Sequence, residues 1–254
     1  GDTTLSLAPG GDVFGAKIVA SYVSIGDVGE HKDLKVGDII LKVNGKAVST
    51  VDEVKSAVEA AGGRAITLTL LRGGEEVKAS IMPKVEGSEA RLGITLRDGA
   101  AGIGTVTYYD PKTGCFGTLG HGVNDSQGAL LRMTAGRACP AAVASVKKRK
   151  CGAPGQLRGS ADPEKVFGSI TKNTPQGVFG TSKRGISGEP LPIADFSEGK
   201  TGPATIRSTV GNDGVREYSV EILKIYPPDR SDGRNLLIRV TDPRLLKETG
   251  GIVQ

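Results

Sequence analysis

A chain of 254 residues is about twice the common domain size, so two units of moderate size are expected. With 37% hydrophobic residues, 24% charged residues and 38 glycines, it reads as a folded chain rich in strands and turns and not as a disordered one. The net charge is a modest +5, and no apolar run approaches the roughly 20 residues needed to span a bilayer, so any export signal or anchor is expected outside this sequence.

The densest basic run, Lys147-Lys148-Arg149-Lys150, has no aromatic residues interleaved with it and reads as a solvated loop, which argues against nucleic acid as a partner. Three cysteines, Cys115, Cys139 and Cys151, lack the Cys-x-x-Cys spacing of a structural zinc site. At most one intrachain disulfide can form from an odd set of three, and the sequence leaves open whether Cys139 and Cys151 pair. No metal and no organic cofactor is implied.

After an extension over residues 1–11, residues 12–83 form a first unit. It starts with a strand-like run, Val13-Phe14-Gly15-Ala16-Lys17-Ile18-Val19. A polar stretch follows, then a turn at Gly37-Asp38, a strand from Ile39 to Val43 and a tight reversal at Asn44-Gly45. Thr50-Val51-Asp52-Glu53 supplies a helix-capping box, Val51, Val54 and Val58 share one helical face, and Gly62-Gly63 ends the helix. The alternating run from Ala65 to Arg72, the Gly73-Gly74 turn and residues 75–82 make a closing hairpin.

That order, with Gly37-Asp38-Ile39-Ile40 followed by Val43-Asn44-Gly45, resembles an α+β PDZ domain of the kind attached to bacterial proteases. The resemblance implies that an extended peptide adds beside a groove strand, expected at Phe14, Gly15, Ala16, Lys17 and Ile18, with the helix at Val51 and Val54 as the other wall.

Residues 84–254 change grammar. After a short linker over residues 84–90 come many short strands separated by Gly, Asn, Asp and Pro, such as Gly104 to Tyr109, Tyr218 to Ile225 and Asn235 to Val240. Such spacing predicts an antiparallel barrel or sandwich.

Two histidines occur. His31 lies in a charged loop and is expected in solvent. His121 lies between Gly120 and Gly122, which allow close backbone approach and leave the ring accessible, as a general base requires. Asp242 follows a strand and precedes Pro243, a natural turn position. It also follows His121 in the chain, the order in which the chymotrypsin arrangement places the carboxylate before its serine. Asp125 is a rival carboxylate four residues after His121.

The segments Ala100-Ala101-Gly102-Ile103-Gly104-Thr105, Gly117-Thr118-Leu119-Gly120-His121, Asn173-Thr174-Pro175-Gln176-Gly177 and Thr241-Asp242-Pro243 through Gly250-Gly251-Ile252-Val253-Gln254 resemble the stage IV sporulation protein B (SpoIVB) peptidase family. The resemblance implies a chymotrypsin-like double barrel, incomplete at the C-terminus, with His121 as general base and Asp242 as its orienter. In that family a Gly-Met-Ser-Gly-Ser-Pro motif follows the last segment, so the nucleophile is expected beyond Gln254 and the chain as it stands is expected to be inactive. Arg184-Gly185-Ile186-Ser187-Gly188-Glu189-Pro190 imitates a nucleophile loop, and Ser187 is the alternative nucleophile, out of chymotrypsin order.

The implied activity is a secreted serine endopeptidase acting between forespore and mother cell. It would process itself and cleave a membrane-associated sporulation regulator, and its PDZ domain would take a peptide ligand, including another copy of the chain. The rival reading is an inactive PDZ scaffold that captures peptides.

Overall fold

The computed structural model describes residues 5–185 and 188–252. Ser187 therefore lies outside the described residues, as does Gln254. The chain is mostly β, built from one large antiparallel sheet system, a separate three-stranded sheet and a small two-stranded one.

The strand Val13–Asp27 organises the molecule because it is long enough to serve two cores. Its first half pairs on one edge with residues 135–140 of the strand Met133–Lys147, and on the other with residues 99–105 of the strand Thr95–Thr105. Its second half joins the α/β unit, where Val23 pairs with Ile40 and Ser24 with Ile39. Phe14 and Ile18 point into one core, while Val23 and Ile25 point into the other.

The α/β unit follows the order read from the sequence. Ile39–Val43 turns at Asn44-Gly45, where φ is +49° and +80°, and the Asn44 side chain accepts the N–H of Thr67 at 2.8 Å. Helix Val51–Ala60 is capped by Thr50, whose hydroxyl accepts from Glu53 N–H at 3.1 Å, and it buries Val54 and Val58 against Ile40, Ile66, Leu68 and Leu70. Ile66–Arg72 and Glu75–Ile81 form the hairpin. Asp38, 1% exposed, is gripped by both guanidinium arms of Arg72 at 2.7 and 2.8 Å and accepts the N–H of Lys35 at 2.8 Å. The expected linker is itself a small hairpin, Lys84–Glu86 with Glu89–Arg91.

In the second unit the pairings close on themselves. Thr95–Thr105 leads through Thr107, whose N–H donates to Gly117 O, into Tyr108–Tyr109 and onto Cys115–Leu119. That strand pairs with Gly177–Ser182, which pairs with Gly168–Thr174, which touches Met133–Lys147 at Arg137 and Ala138 and so returns to Val13–Asp27. The ring encloses Phe14, Ile18, Val106, Phe116, Phe167, Ile170 and Val178, with Phe14 edge-on to Phe116 at 5.8 Å.

Where the family resemblance leads one to expect a second barrel, the described residues form a three-stranded sheet: Gly202–Ser208, Arg216–Ile225 and Leu236–Val240. Three strands leave two edges and cannot close a barrel. A short helix, Pro243–Thr249, packs Leu245 against Val210 and Tyr218 beside this sheet.

Candidate active site and peptide groove

His121 stands at the rim of the closed ring. Gly120, at φ +138°, donates its N–H to Gln176 O at 3.0 Å, which ties the loop to the turn after Gly168–Thr174. Gly122 is buried so tightly that a Cβ would meet Thr174 O at 2.3 Å and Asn173 Oδ1 at 2.9 Å. These two glycines hold the exposed imidazole beside a cavity of about 410 Å³ lined by Phe14, Ala16, Ile18, residues 100–105, Thr118, Val178 and Ile252.

His121 Nδ1 lies 2.8 Å from the Gly122 carbonyl oxygen. A carbonyl can only accept, so Nδ1 carries the proton, and Nε2 of the neutral ring is left as the acceptor a general base needs. Among the described residues Nε2 has no hydrogen-bond partner.

Asp242 is occupied elsewhere. Its Oδ1 accepts the N–H groups of Arg244 at 3.0 Å and Leu245 at 3.3 Å, and its Oδ2 lies 3.5 Å from Ser219 N. It is the N-cap of the helix Pro243–Thr249, and no hydrogen bond joins it to His121 among the described residues. At 1.5 Å per residue this seven-residue helix places the cap about 10 Å from the turn that approaches His121. Asp125 is likewise committed, accepting from Gln127 and Ala129 N–H at 2.8 and 3.0 Å.

The other end of that helix does reach the site. Thr249, fully buried, sets its hydroxyl between two carbonyl oxygens, Leu245 O at 2.8 Å and Gly251 O, either of which can take its one hydrogen, and its own carbonyl accepts the N–H of Arg149 at 2.9 Å. Gly250 and Gly251, at φ +71° and +135°, turn the chain so that Ile252 lines the His121 cavity. The Thr-Gly-Gly pattern thus turns the chain toward the cavity, and Arg149 from the basic run is its backbone anchor.

The groove expected at Phe14, Gly15, Ala16, Lys17 and Ile18 is corrected by the structure. Both edges of that stretch are already paired, to residues 136–140 and to residues 100–104, so no peptide strand can add there. Val51 packs on the core of the α/β unit, and only Val54 of the two helix residues faces a cleft. That cleft, about 450 Å³, runs between Val54, Lys55, Val58 and Glu59 of the helix and residues 89–94 with Leu96.

Its strand wall has the features of a peptide acceptor. At residues 95–97 the strand Thr95–Thr105 pairs with Val13–Asp27 on one edge only, and Leu96 lines the cleft opposite the helix. The N–H groups of Leu92, Gly93 and Ile94 donate to no acceptor among the described residues, and Gly93 takes φ +68°. Consecutive free N–H groups at a left-handed glycine make a concavity suited to a carboxylate. A signal was present in the sequence: Leu92-Gly93-Ile94 sets a glycine between two apolar residues just before a strand.

The SpoIVB peptidase S55 family model matches residues 88–254, about two thirds of the chain. The chain belongs to the SpoIVB peptidase S55 family. A PDZ domain model matches residues 19–72, the α/β unit whose helix forms one wall of the cleft. As an S55 family member the chain resembles serine peptidases, and its PDZ unit suits protein or peptide ligands.

Proposed function

We propose that this S55 family chain contributes the general base and the peptide-binding groove of a serine endopeptidase of spore formation. The observation that carries the reading is the His121 loop: an imidazole held by two obligatory glycines, protonated at Nδ1, with Nε2 open beside a cavity that Ile252 also lines. A serine that follows Gln254 would be delivered to that cavity by the Thr249-Gly250-Gly251 turn. His121 Nε2 would take its proton as it attacks a scissile carbonyl, then return that proton to the leaving amine.

Asp242 enters as the carboxylate that the family resemblance supplies. Serving His121 would require its side chain to leave the helix cap, and until then Gly122 O holds the ring in its working tautomer. The chymotrypsin-like reading rests on the closed ring around Phe116 with His121 at its rim.

Leu92, Gly93 and Ile94 present their N–H groups to a peptide carboxylate, and the free edge at residues 94–96 accepts the peptide as an added strand. The substrate is a protein, proposed to be a membrane-associated sporulation regulator, and another copy of the chain is a candidate ligand. The proposed place of action is the space between forespore and mother cell. No helix among the described residues is long and apolar enough to cross a membrane.

The test is self-processing. A chain extended through the family nucleophile segment should cut an inactivated copy, and His121→Ala should abolish the cut. Cleavage that survives His121→Ala would remove the catalytic half of the reading and leave the peptide-binding half.

A further inference from the structure

The hairpin that follows His121 leaves the closed ring and ends on the PDZ unit. Gln127, at its tip, donates from Nε2 to two carbonyl oxygens of that unit, Gly37 O at 2.8 Å and Leu71 O at 3.0 Å. A primary amide has two N–H donors, and both are used. Ser126 Oγ adds a longer bond to Gly37 O at 3.3 Å.

Both ends of this contact are stiff. Asp125 Oδ1 accepts the N–H of Gln127 and of Ala129, which fixes the tip. At the base, Asn173 bonds Val123 and Leu131, two and ten residues after His121. On the PDZ side, Gly37 N–H donates to Ile25 O at 2.8 Å, and Ile25 N–H donates to Asp38 O at 2.9 Å. Gly37 needs its φ of +93°, and a Cβ there would come within 3.1 Å of Ser126 Oγ. Leu71 adjoins Arg72, which clamps the buried Asp38.

The groove is one step away. Leu96, on the strand with the open edge, pairs with Ile25, the residue that holds the Gly37 turn. Leu96, Ile25, Gly37 and Gln127 are thus successive neighbours between the cleft and the His121 hairpin.

We propose that Gln127 is a positioning residue that ties the His121 hairpin to the PDZ unit, so that occupancy of the peptide groove is felt at the imidazole. This rests on the groove assigned above. The coupling needs no displacement of whole domains, because restraint of Ile25 by an added strand restrains the turn on which Gln127 sits.

The two histidines make the test readable. His31 Nε2 lies 2.5 Å from Leu92 O and reports on the groove, while His121 reports on the site. The protein, labelled on its histidine rings, is titrated with a short peptide ending in a free valine carboxylate and followed by NMR. Both ring signals should shift in the wild type. In Gln127→Ala only His31 should shift, and Gln127→Glu should behave the same way, because a carboxylate faces the two carbonyls with no donor. An undiminished His121 response in both variants, or a silent His121 in the wild type while His31 responds, overturns the proposal.

A peptide-free measurement separates the clamp from the groove. Loss of two hydrogen bonds should speed amide exchange at Asp125 and Ala129 by about ten-fold or more in Gln127→Ala, with exchange at Ile40 unchanged. If His31 fails to shift, the groove reading falls, and this exchange alone decides the clamp: unchanged rates overturn it.

Discussion

Asn173 and Val123 bond to each other twice: Val123 N–H donates to Asn173 Oδ1 at 2.8 Å, and Asn173 Nδ2 donates to Val123 O at 2.8 Å. The side chain acts as an extra backbone unit that closes the base of the His121 hairpin, and its amide also reaches Leu131 O at 3.0 Å. Asn173→Ala leaves the Val123 N–H and the Leu131 carbonyl without partners, while Val123 O keeps the N–H of Leu131, and it should cost about 2–3 kcal/mol in denaturant unfolding. Asn173→Asp keeps the bond from Val123 N–H but cannot donate, so it should also destabilise. A variant within a few tenths of wild type, about the noise of such measurements, would mean that the hairpin base is held by other means.

Asp38 titrates as part of the PDZ fold. Burial alone would raise its pKa, but the Arg72 fork and the Lys35 N–H together hold it below the usual carboxylate range. A folded-state pKa below the unfolded one contributes stability above the unfolded value of about 3.9, and that contribution is lost as pH falls through the folded value. Asp38→Asn should therefore cost about 2–3 kcal/mol near neutral pH. The gap to wild type should narrow as pH falls below about 4. A gap that stays constant from neutral pH into that acid range would show that charge pairing is not what Asp38 supplies.

The position of the groove separates two substitutions. Gly93→Ala forces a side chain into φ +68° at a cost of about 1–2 kcal/mol and should weaken binding of a carboxylate-ended peptide about ten-fold by calorimetry. Phe14→Ala empties a buried site against Phe116 and should cost about 3–5 kcal/mol of stability with peptide affinity unchanged wherever the protein stays folded. The reverse pattern would return the groove to residues 14–18.

Asp242 can be dissected by its capping role. Asn is an equally good N-cap, so Asp242→Asn should leave stability within a few tenths of wild type, while Asp242→Ala should lose about 1 kcal/mol. Cleavage by the extended chain is the second readout. A fall of about 10⁴-fold in Asp242→Asn at unchanged stability would assign the carboxylate to the imidazole. Activity close to wild type would leave it a cap.

Local signals made much of this legible in the sequence. Gly37-Asp38, Asn44-Gly45, the Thr50 cap and Gly73-Gly74 each fix a turn by their own backbone chemistry, and the PDZ elements fall between them. The glycines around His121 were equally readable, since Gly120 takes a φ of +138° that favours glycine and Gly122 leaves no room for a Cβ beside Thr174.

Partnership across the chain was not legible. A run of apolar residues at 13–19 reads as a strand, but nothing local says that residues 100–104 and 136–140 will cover both of its edges. The strand that lines the proposed groove comes after the helix in chain order, about eighty residues beyond Phe14. Asp242 shows the same divide: its Asp-Pro cap is a local signal, whereas its distance from His121 depends on how a separate sheet packs.

The proposed role of His121 as the general base of a peptidase has one consequence that can be measured directly. The most direct measurement is self-cleavage of the chain extended through the nucleophile segment, followed by intact mass, in wild type and in His121→Ala. Cutting of an inactivated copy by the wild type and none by His121→Ala is the predicted result. Equal cutting by both, in protein shown to be folded, would contradict it.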